Sequence, residues 1–228
     1  MMHQLNVALF DFDGTLVDTE GQYTQFWGRM ARRYRPDVQR LEYLIKGTTL
    51  TQIFDRYFPD PVWQAEIIKG LDEWEAQMDY RPVPGAEEFL ADLKRHGVKC
   101  AIVTSSNQKK MDSVRSQRPE FLALFDRILT SEDFTRSKPA PDCYIRGAEL
   151  FGAQLSECVV FEDAFNGLEA GMKSGIFTIG LTTNNPAETI RDLCHVVIAD
   201  FTELNYEKLL RLKSIDKGQK SVIFDTKT

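Results

Sequence analysis

Asp11 and Asp13 stand one residue apart in the run Asp11-Phe12-Asp13-Gly14-Thr15-Leu16-Val17-Asp18, directly after the mostly apolar residues 5–10. Two neighbouring carboxylates in a poorly solvated place repel, so they need a cation or a shared proton. A hard divalent ion with oxygen ligands, most naturally Mg²⁺, meets that need. The plainer reading of Asp-x-Asp-Gly is a solvated acidic turn, with Gly14 allowing the tight turn. Asp18 reads as the N-cap of a following helix. Three more polar clusters come later in the chain. Thr104-Ser105-Ser106 offers hydroxyls and main-chain N–H groups just before a helix, which is how a phosphate is cradled, although an ordinary N-cap looks the same. Ser137-Lys138-Pro139-Ala140-Pro141-Asp142 places a lysine in a proline-stiffened loop, and Glu162-Asp163 precedes Asn166-Gly167. Each cluster alone has an unremarkable explanation. The set, in this order, places polar groups of complementary type (an acidic pair, a hydroxyl cradle, a lysine and a second acidic pair) after four successive runs, which is hard to ascribe to chance.

The elements around these clusters explain how they meet. Residues 5–10, 99–104, 127–130, 159–161, 176–181 and 195–198 are short apolar runs of the kind that become strands buried on both faces. Helical stretches lie between most of them, with Ala86, Phe89, Leu90 and Leu93 on one stripe and Tyr144, Ile145, Ala148 and Phe151 on another. Strands alternating with helices give right-handed βαβ units and a parallel sheet. In such a sheet ligands bind beyond the carboxyl ends of the strands, where all four clusters fall. The alternation stops between residues 19 and 81. There Tyr23, Phe26, Trp27, Met30, Ala31 and Tyr34 form one helical stripe; Leu50, Ile53, Phe54, Tyr57 and Phe58 a second; Trp63, Ile67, Leu71, Trp74 and Met78 a third. The expected architecture is therefore α/β, a Rossmann-like parallel-sheet core with an inserted all-helical cap. Residues 1–18 and 82–213 form the core, 19–81 the cap and 214–228 a tail. Pro82-Val83-Pro84-Gly85 brings the chain back stiffly to the core, and the two crossings make a hinge.

Composition narrows the function classes. The chain has 228 residues, 28 Lys+Arg against 34 Asp+Glu and a formal charge of −6, a balance that argues against a nucleic-acid partner. No apolar run approaches the roughly 20 residues of a membrane-spanning helix, and no secretory signal is visible, so the expectation is a cytoplasmic protein. Cys100, Cys143, Cys158 and Cys194 are widely spaced and read as packing residues, not a disulfide framework or a zinc site. No protein partner is implied.

The four clusters, as Asp11-Phe12-Asp13-Gly14-Thr15, Thr104-Ser105-Ser106, Lys138-Pro139 and Glu162-Asp163, resemble the four motifs of haloacid dehalogenase (HAD) superfamily hydrolases with a small helical cap, close to the β-phosphoglucomutase-like phosphatases. The resemblance runs over roughly residues 5 to 212. It implies that Asp11 is the nucleophile and becomes an aspartyl-phosphate. Asp13 would protonate the leaving alkoxide and then take a proton from the hydrolytic water. Mg²⁺ would be held by Asp11, the main-chain carbonyl of Asp13 and Asp163, with Glu162 as a ligand or just behind one. Thr104 and the N–H of Ser105 would hold the phosphoryl group, and Lys138 would offset its charge.

Within the family, Asp13 favours phosphoryl transfer over dehalogenation, which needs no leaving-group acid. The β-phosphoglucomutase pattern has a cap histidine where this chain has Tyr23 and an arginine where it has Leu50, while Lys46-Gly47 is retained. The expectation is thus a Mg²⁺-dependent phosphatase acting on a small phosphorylated metabolite, a sugar phosphate among the candidates, with Lys46 as a cap contact to substrate. A phosphohexomutase is the alternative, followed by a pyrophosphatase or a phosphonatase. A reading from another class, the phospho-aspartate receiver domain, also uses acidic groups, a Ser/Thr and a Lys at strand ends. Such domains are shorter, carry no helical insertion and are phosphorylated after a middle strand.

Overall fold

Residues 7–10, Val-Ala-Leu-Phe, are buried on both faces, and the sheet is assembled outward from them. The computed structural model describes residues 5–46, 48–215 and 222–223. In chain order the elements are β1 (Val7–Phe10), α1 (Glu20–Tyr34), α2 (Leu41–Leu44), α3 (Leu50–Tyr57), α4 (Pro61–Glu75), α5 (Ala86–Arg95), β2 (Lys99–Val103), α6 (Gln108–Gln117), α7 (Pro119–Leu122), β3 (Arg127–Leu129), α8 (Asp142–Glu149), β4 (Cys158–Glu162), α9 (Phe165–Ser174), β5 (Phe177–Leu181), α10 (Ala187–Ile190), β6 (Val196–Ile198), α11 (Tyr206–Ile215) and β7 (Val222–Ile223). The sheet order is β3-β2-β1-β4-β5-β6-β7, with every pair parallel. All six strands expected from the sequence are present. The order reverses beside β1, and this switch point is where a crevice opens in doubly wound sheets.

Side-chain alternation sends Ala8 and Phe10 into one core and Val7 and Leu9 into the other. The first core is aromatic. Phe10 stacks on Phe161 at 4.7 Å between ring centroids, and Phe89 stacks on Phe201 at 5.5 Å. The second is built from β-strand aliphatics with Tyr144 and Ala148 of α8. Asp11 continues the parity of Val7 and Leu9, so it emerges on the α8 side.

Helices α1 to α4 carry a core of their own, with Phe26, Trp27, Leu41, Ile53, Phe58 and Ile67 among its buried members. The third and fourth of these helices start on conventional caps. Thr49 and Gln52 form a reciprocal capping box on α3, and Asp60 accepts from Val62 N on α4. The first does not. The sequence points to Asp18 as the N-cap of α1, but Thr19 occupies that position. Asp18 instead pairs with Arg81 at 3.0 Å, because the two crossings between sheet and cap run side by side. Asp18 N donates to Arg81 O, Val83 N donates to Leu16 O, and Val17 and Pro82 form an antiparallel bridge.

The last helix, α11, continues to Ile215, into the stretch expected as a tail. Val222 and Ile223 pair with Val196 and Val197. The rest of the expected tail, 216–221 and 224–228, lies outside the described residues. No helix among the described residues is long and apolar enough to cross a membrane.

Candidate active site

Strand register brings the acidic groups together. Phe10 is level with Ile102 on one side and Phe161 on the other, so the next residue, Asp11, lies beside Val103 and Glu162. Carboxylate oxygens of Asp11, Glu162 and Asp163 lie within 4.8 Å of one another, and all three residues are buried. Lys138 reaches into this trio from the loop before α8. Its Nζ donates to Asp11 Oδ1 at 2.6 Å, Glu162 Oε1 at 2.7 Å and Val103 O at 3.1 Å. The ammonium is 1% exposed. Burial works against its charge, but Asp11 and Glu162 outweigh that and hold its pKa well above the usual lysine value.

One lysine does not balance three carboxylates. Burial pushes Asp11 up to about 8, with Lys138 opposing and Glu162 reinforcing the rise. Asp163 is pushed well above its ordinary value by burial and then by Glu162 and Asp11. The remaining negative charge and the all-oxygen donor set fit a hard divalent cation such as Mg²⁺. Glu162 is the least free of the three. Oε1 accepts from Lys138 and from Tyr144 Oη at 3.0 Å, and Oε2 accepts from the N–H groups of Asp163 and Ala164 at 2.9 and 3.0 Å. Asp163 is oriented by Thr15 Oγ1 at 2.8 Å on one oxygen and Asn184 Nδ2 at 2.6 Å on the other. Asn185 Nδ2 donates to the Asp163 carbonyl at 2.9 Å, and Thr183 Oγ1 donates to the Gly14 carbonyl. Gly14 has φ +82°, and a Cβ there would sit 2.5 Å from Asp163 Oδ2. The loop after β1 therefore closes on Asp163 only with glycine at this place.

The Asp13 carboxylate is not in the trio. Its oxygens accept from Thr19 Oγ1 at 2.7 Å, from Ser106 Oγ at 3.0 Å and from Lys110 Nζ. Thr19 spends its hydroxyl here and not on capping α1. The resemblance gives Asp13 to the ion through its carbonyl and to the proton through its carboxylate, and this separation is compatible with both. Thr104 is buried at the end of β2, where its Oγ1 accepts from Ser106 N at 3.0 Å. Ser105 Oγ is buried and has no hydrogen-bond partner among the described residues. An orphaned hydroxyl beside a helix start is what an anion would satisfy.

These groups line one end of a cavity of about 690 Å³. The cap supplies the other end, including Glu20, Tyr23, Trp27, Lys46 and Gln52. Lys46 Nζ lies 2.8 Å from Glu20 Oε2, so the one cap residue singled out from the sequence is in the cavity, already paired. Burial raises Glu20, against the pull of Lys46, and raises Glu75, against Lys110 and a hydrogen bond from Tyr23. Of the residues given catalytic, phosphate-binding, metal or cap-contact roles from the sequence, all line the cavity except Asp163, which lies in the carboxylate trio. Sequence reasoning missed Lys110, Thr15, Tyr144 and Asn184. Lys110 is buried, at 2% exposure, next to Asp13, and its signal was a lysine one turn into the helix that follows the Thr-Ser-Ser cluster. Asn184-Asn185 after a strand was the corresponding signal for the Asp163 clamp.

Sheet, cap and crevice together define a capped α/β enzyme. Residues 8–181 match the family model of haloacid dehalogenase-like hydrolases. Over 206 residues, 88% of this chain and 96% of the relative, the chain is 30% identical to a validoxylamine A 7′-phosphate phosphatase of Streptomyces hygroscopicus subsp. limoneus. It is 33% identical over 191 residues to hexitol phosphatase A of Escherichia coli (strain K12), covering 80% of this chain and 85% of that one. A HAD hydrolase of family IA, variant 3, from Entamoeba histolytica HM-1:IMSS superposes with a TM-score of 0.78 at 25% identity, over 92% of this chain and 100% of that chain. The protein belongs to the haloacid dehalogenase-like hydrolase family.

Proposed function

We propose that this enzyme is a Mg²⁺-dependent phosphatase that hydrolyses a small sugar or polyol phosphate in the cytoplasm, through an aspartyl-phosphate on Asp11. It is a phosphoric monoester hydrolase. The observation that carries the reading is the position of Asp11. It is a buried carboxylate at the end of the central strand, 2.6 Å from a buried lysine and facing a cavity that Ser105, whose hydroxyl is orphaned, also lines. The phosphatase relatives support it, as a validoxylamine phosphate and a hexitol phosphate are both hydroxyl-rich monoesters.

Asp11 and Asp163, with the Asp13 carbonyl, would hold the ion, and Glu162 would position the others. When bound, Mg²⁺ supplies charge neutralisation to the transferring phosphoryl group and to Asp11. Thr104 and Ser105 grip the phosphoryl oxygens. Asp11 Oδ attacks phosphorus while Lys138 keeps it oriented and, together with the charge a bound ion would supply, favours its ionised form. Asp13 hands a proton to the departing alkoxide oxygen, and its carboxylate then takes a proton from the water that attacks the acyl phosphate. Lys110, Ser106 and Thr19 hold Asp13 until the substrate arrives. The cap, residues 19–81, closes over this end and keeps bulk water out. Tyr23 and Leu50 line the cap side, and no arginine lines the cavity among the described residues. That favours hydrolysis over a mutase cycle, which must grip a second phosphate. The test is crystallography with beryllium fluoride and Mg²⁺, in which the adduct is expected on an Asp11 oxygen. An anion bound elsewhere overturns the covalent role.

A further inference from the structure

The cap end of the cavity takes no part in the phosphoryl chemistry, yet it is charged. Glu20, Glu42 and Glu75 line it. Against these three carboxylates stands one ammonium, Lys46, already paired with Glu20. Glu75 accepts from Tyr23 Oη at 2.7 Å, which holds the carboxylate in place without neutralising it. Lys46 and Lys138 are the cationic side chains lining the cavity among the described residues. Lys138 is committed to Asp11 and Glu162, and Lys110, just behind the wall, to Asp13. The other polar groups at this end include Thr48, Thr51 and Gln52, which both donate and accept hydrogen bonds.

We infer that the cap wall selects the leaving group by charge, admitting phosphate monoesters of uncharged or positively charged polyhydroxy alcohols and rejecting those whose leaving group carries a carboxylate or a second phosphate. The inference rests on the phosphatase reading and narrows its substrate class. An added anion would be enclosed with three carboxylates and no uncommitted cation, and like charges in a water-poor space repel strongly. A hydroxyl-rich chain meets acceptors on the glutamates and mixed groups on the threonines and Gln52. Specificity of this kind comes from repulsion of the wrong ligand as much as from attraction of the right one.

A matched series tests it. Glucitol 6-phosphate, 1-amino-1-deoxyglucitol 6-phosphate and 6-phosphogluconate differ at one end in charge, with fructose 1,6-bisphosphate as a second anionic member. At saturating Mg²⁺, kcat/KM is expected to be on the order of 100-fold lower for the two anionic members than for glucitol 6-phosphate, and at least equal for the amine. In Glu42→Lys the ratio of 6-phosphogluconate to glucitol 6-phosphate activity should rise roughly tenfold, with a smaller rise in Glu42→Gln. A circular dichroism spectrum and p-nitrophenyl phosphate turnover report whether each variant is folded. Equal kcat/KM across the series in an enzyme that hydrolyses p-nitrophenyl phosphate overturns the charge filter alone. Failure to hydrolyse any of these esters, p-nitrophenyl phosphate included, overturns the phosphatase reading and the filter with it.

Discussion

At the strand ends, the charged side chains are fixed by partners far away in the chain. Lys138 holds Asp11, Thr15 and Asn184 hold Asp163, and Ser106 and Lys110 hold Asp13. On the cap wall the charges are fewer in kind and less constrained, with Glu20 paired to Lys46 and Glu75 to a tyrosine hydroxyl. The first region is preorganised for one reaction, since its groups are placed by sheet register before any substrate arrives. The second is a set of side chains on helices that can be exchanged without disturbing the sheet. On the proposed reading, chemistry and selectivity are thus built on different kinds of scaffold within one cavity.

Breaking the first region should do the most damage. Asp11→Asn is expected to reduce phosphatase turnover on the order of 10⁴-fold or more, with an unchanged circular dichroism spectrum; residual turnover near the native level would remove the nucleophile. Lys138→Met leaves Asp11 and Glu162 buried without their cation, so urea unfolding should show a loss of about 3–5 kcal/mol in addition to lost activity. Asn184→Ala frees one oxygen of Asp163, and the Mg²⁺ concentration for half-maximal activity should rise roughly 10–100-fold. Calorimetric titration with Mg²⁺ would show the same weakening without relying on turnover. On the cap side, Lys46→Ala should act mainly through KM, raising it roughly tenfold for a polyol phosphate while kcat stays within a few-fold. A larger effect on kcat would mean that the two regions are not separable.

The last expectation concerns how stability depends on pH. Asp11 has a folded pKa of about 8, above the unfolded value near 3.9, and Asp163 is displaced in the same direction. Between those values the native state binds more protons than the unfolded chain, so the stability of Mg²⁺-free protein should fall as pH rises from 5 to 8. A decline of a few degrees or more, about 2–4 °C per kcal/mol for a chain of this size, should appear in thermal melts. Added Mg²⁺ should restore more at pH 8 than at pH 5, and the opposite trend would mean that burial does not govern these carboxylates.

Much of the first region was legible in the sequence, for a physical reason. A parallel strand buried on both faces reads as an apolar run, and the residue types just beyond it must be those that do chemistry. Asp11, Thr104, Lys138 and Glu162 could therefore be placed at one edge without coordinates. The hydrogen-bond partners were less visible. Tyr144 reads as a helix core residue, and only the packing of α8 against β1 turns its hydroxyl toward Glu162. Asp18 and Thr19 are both good capping residues, and sequence could not foresee that Asp13 would claim the threonine hydroxyl and Arg81 the aspartate. The cap wall was nearly opaque. Its helices were evident from stripes such as Phe26, Trp27 and Ala31, but periodicity identifies what faces the cap's own core and not what faces across the cleft. Lys46 was found only through family resemblance.

The paired straps between sheet and cap carry a mechanical consequence. Because Asp18 is tied to Arg81 and Leu16 to Val83 through their main chains, the two connections behave as one flat ribbon. A ribbon bends readily across its width and resists torsion and sideways shear. A hinging motion of the lid is therefore expected to run across the ribbon's width and to meet resistance to swivelling, which would return the same glutamates opposite the same aspartate at each closure.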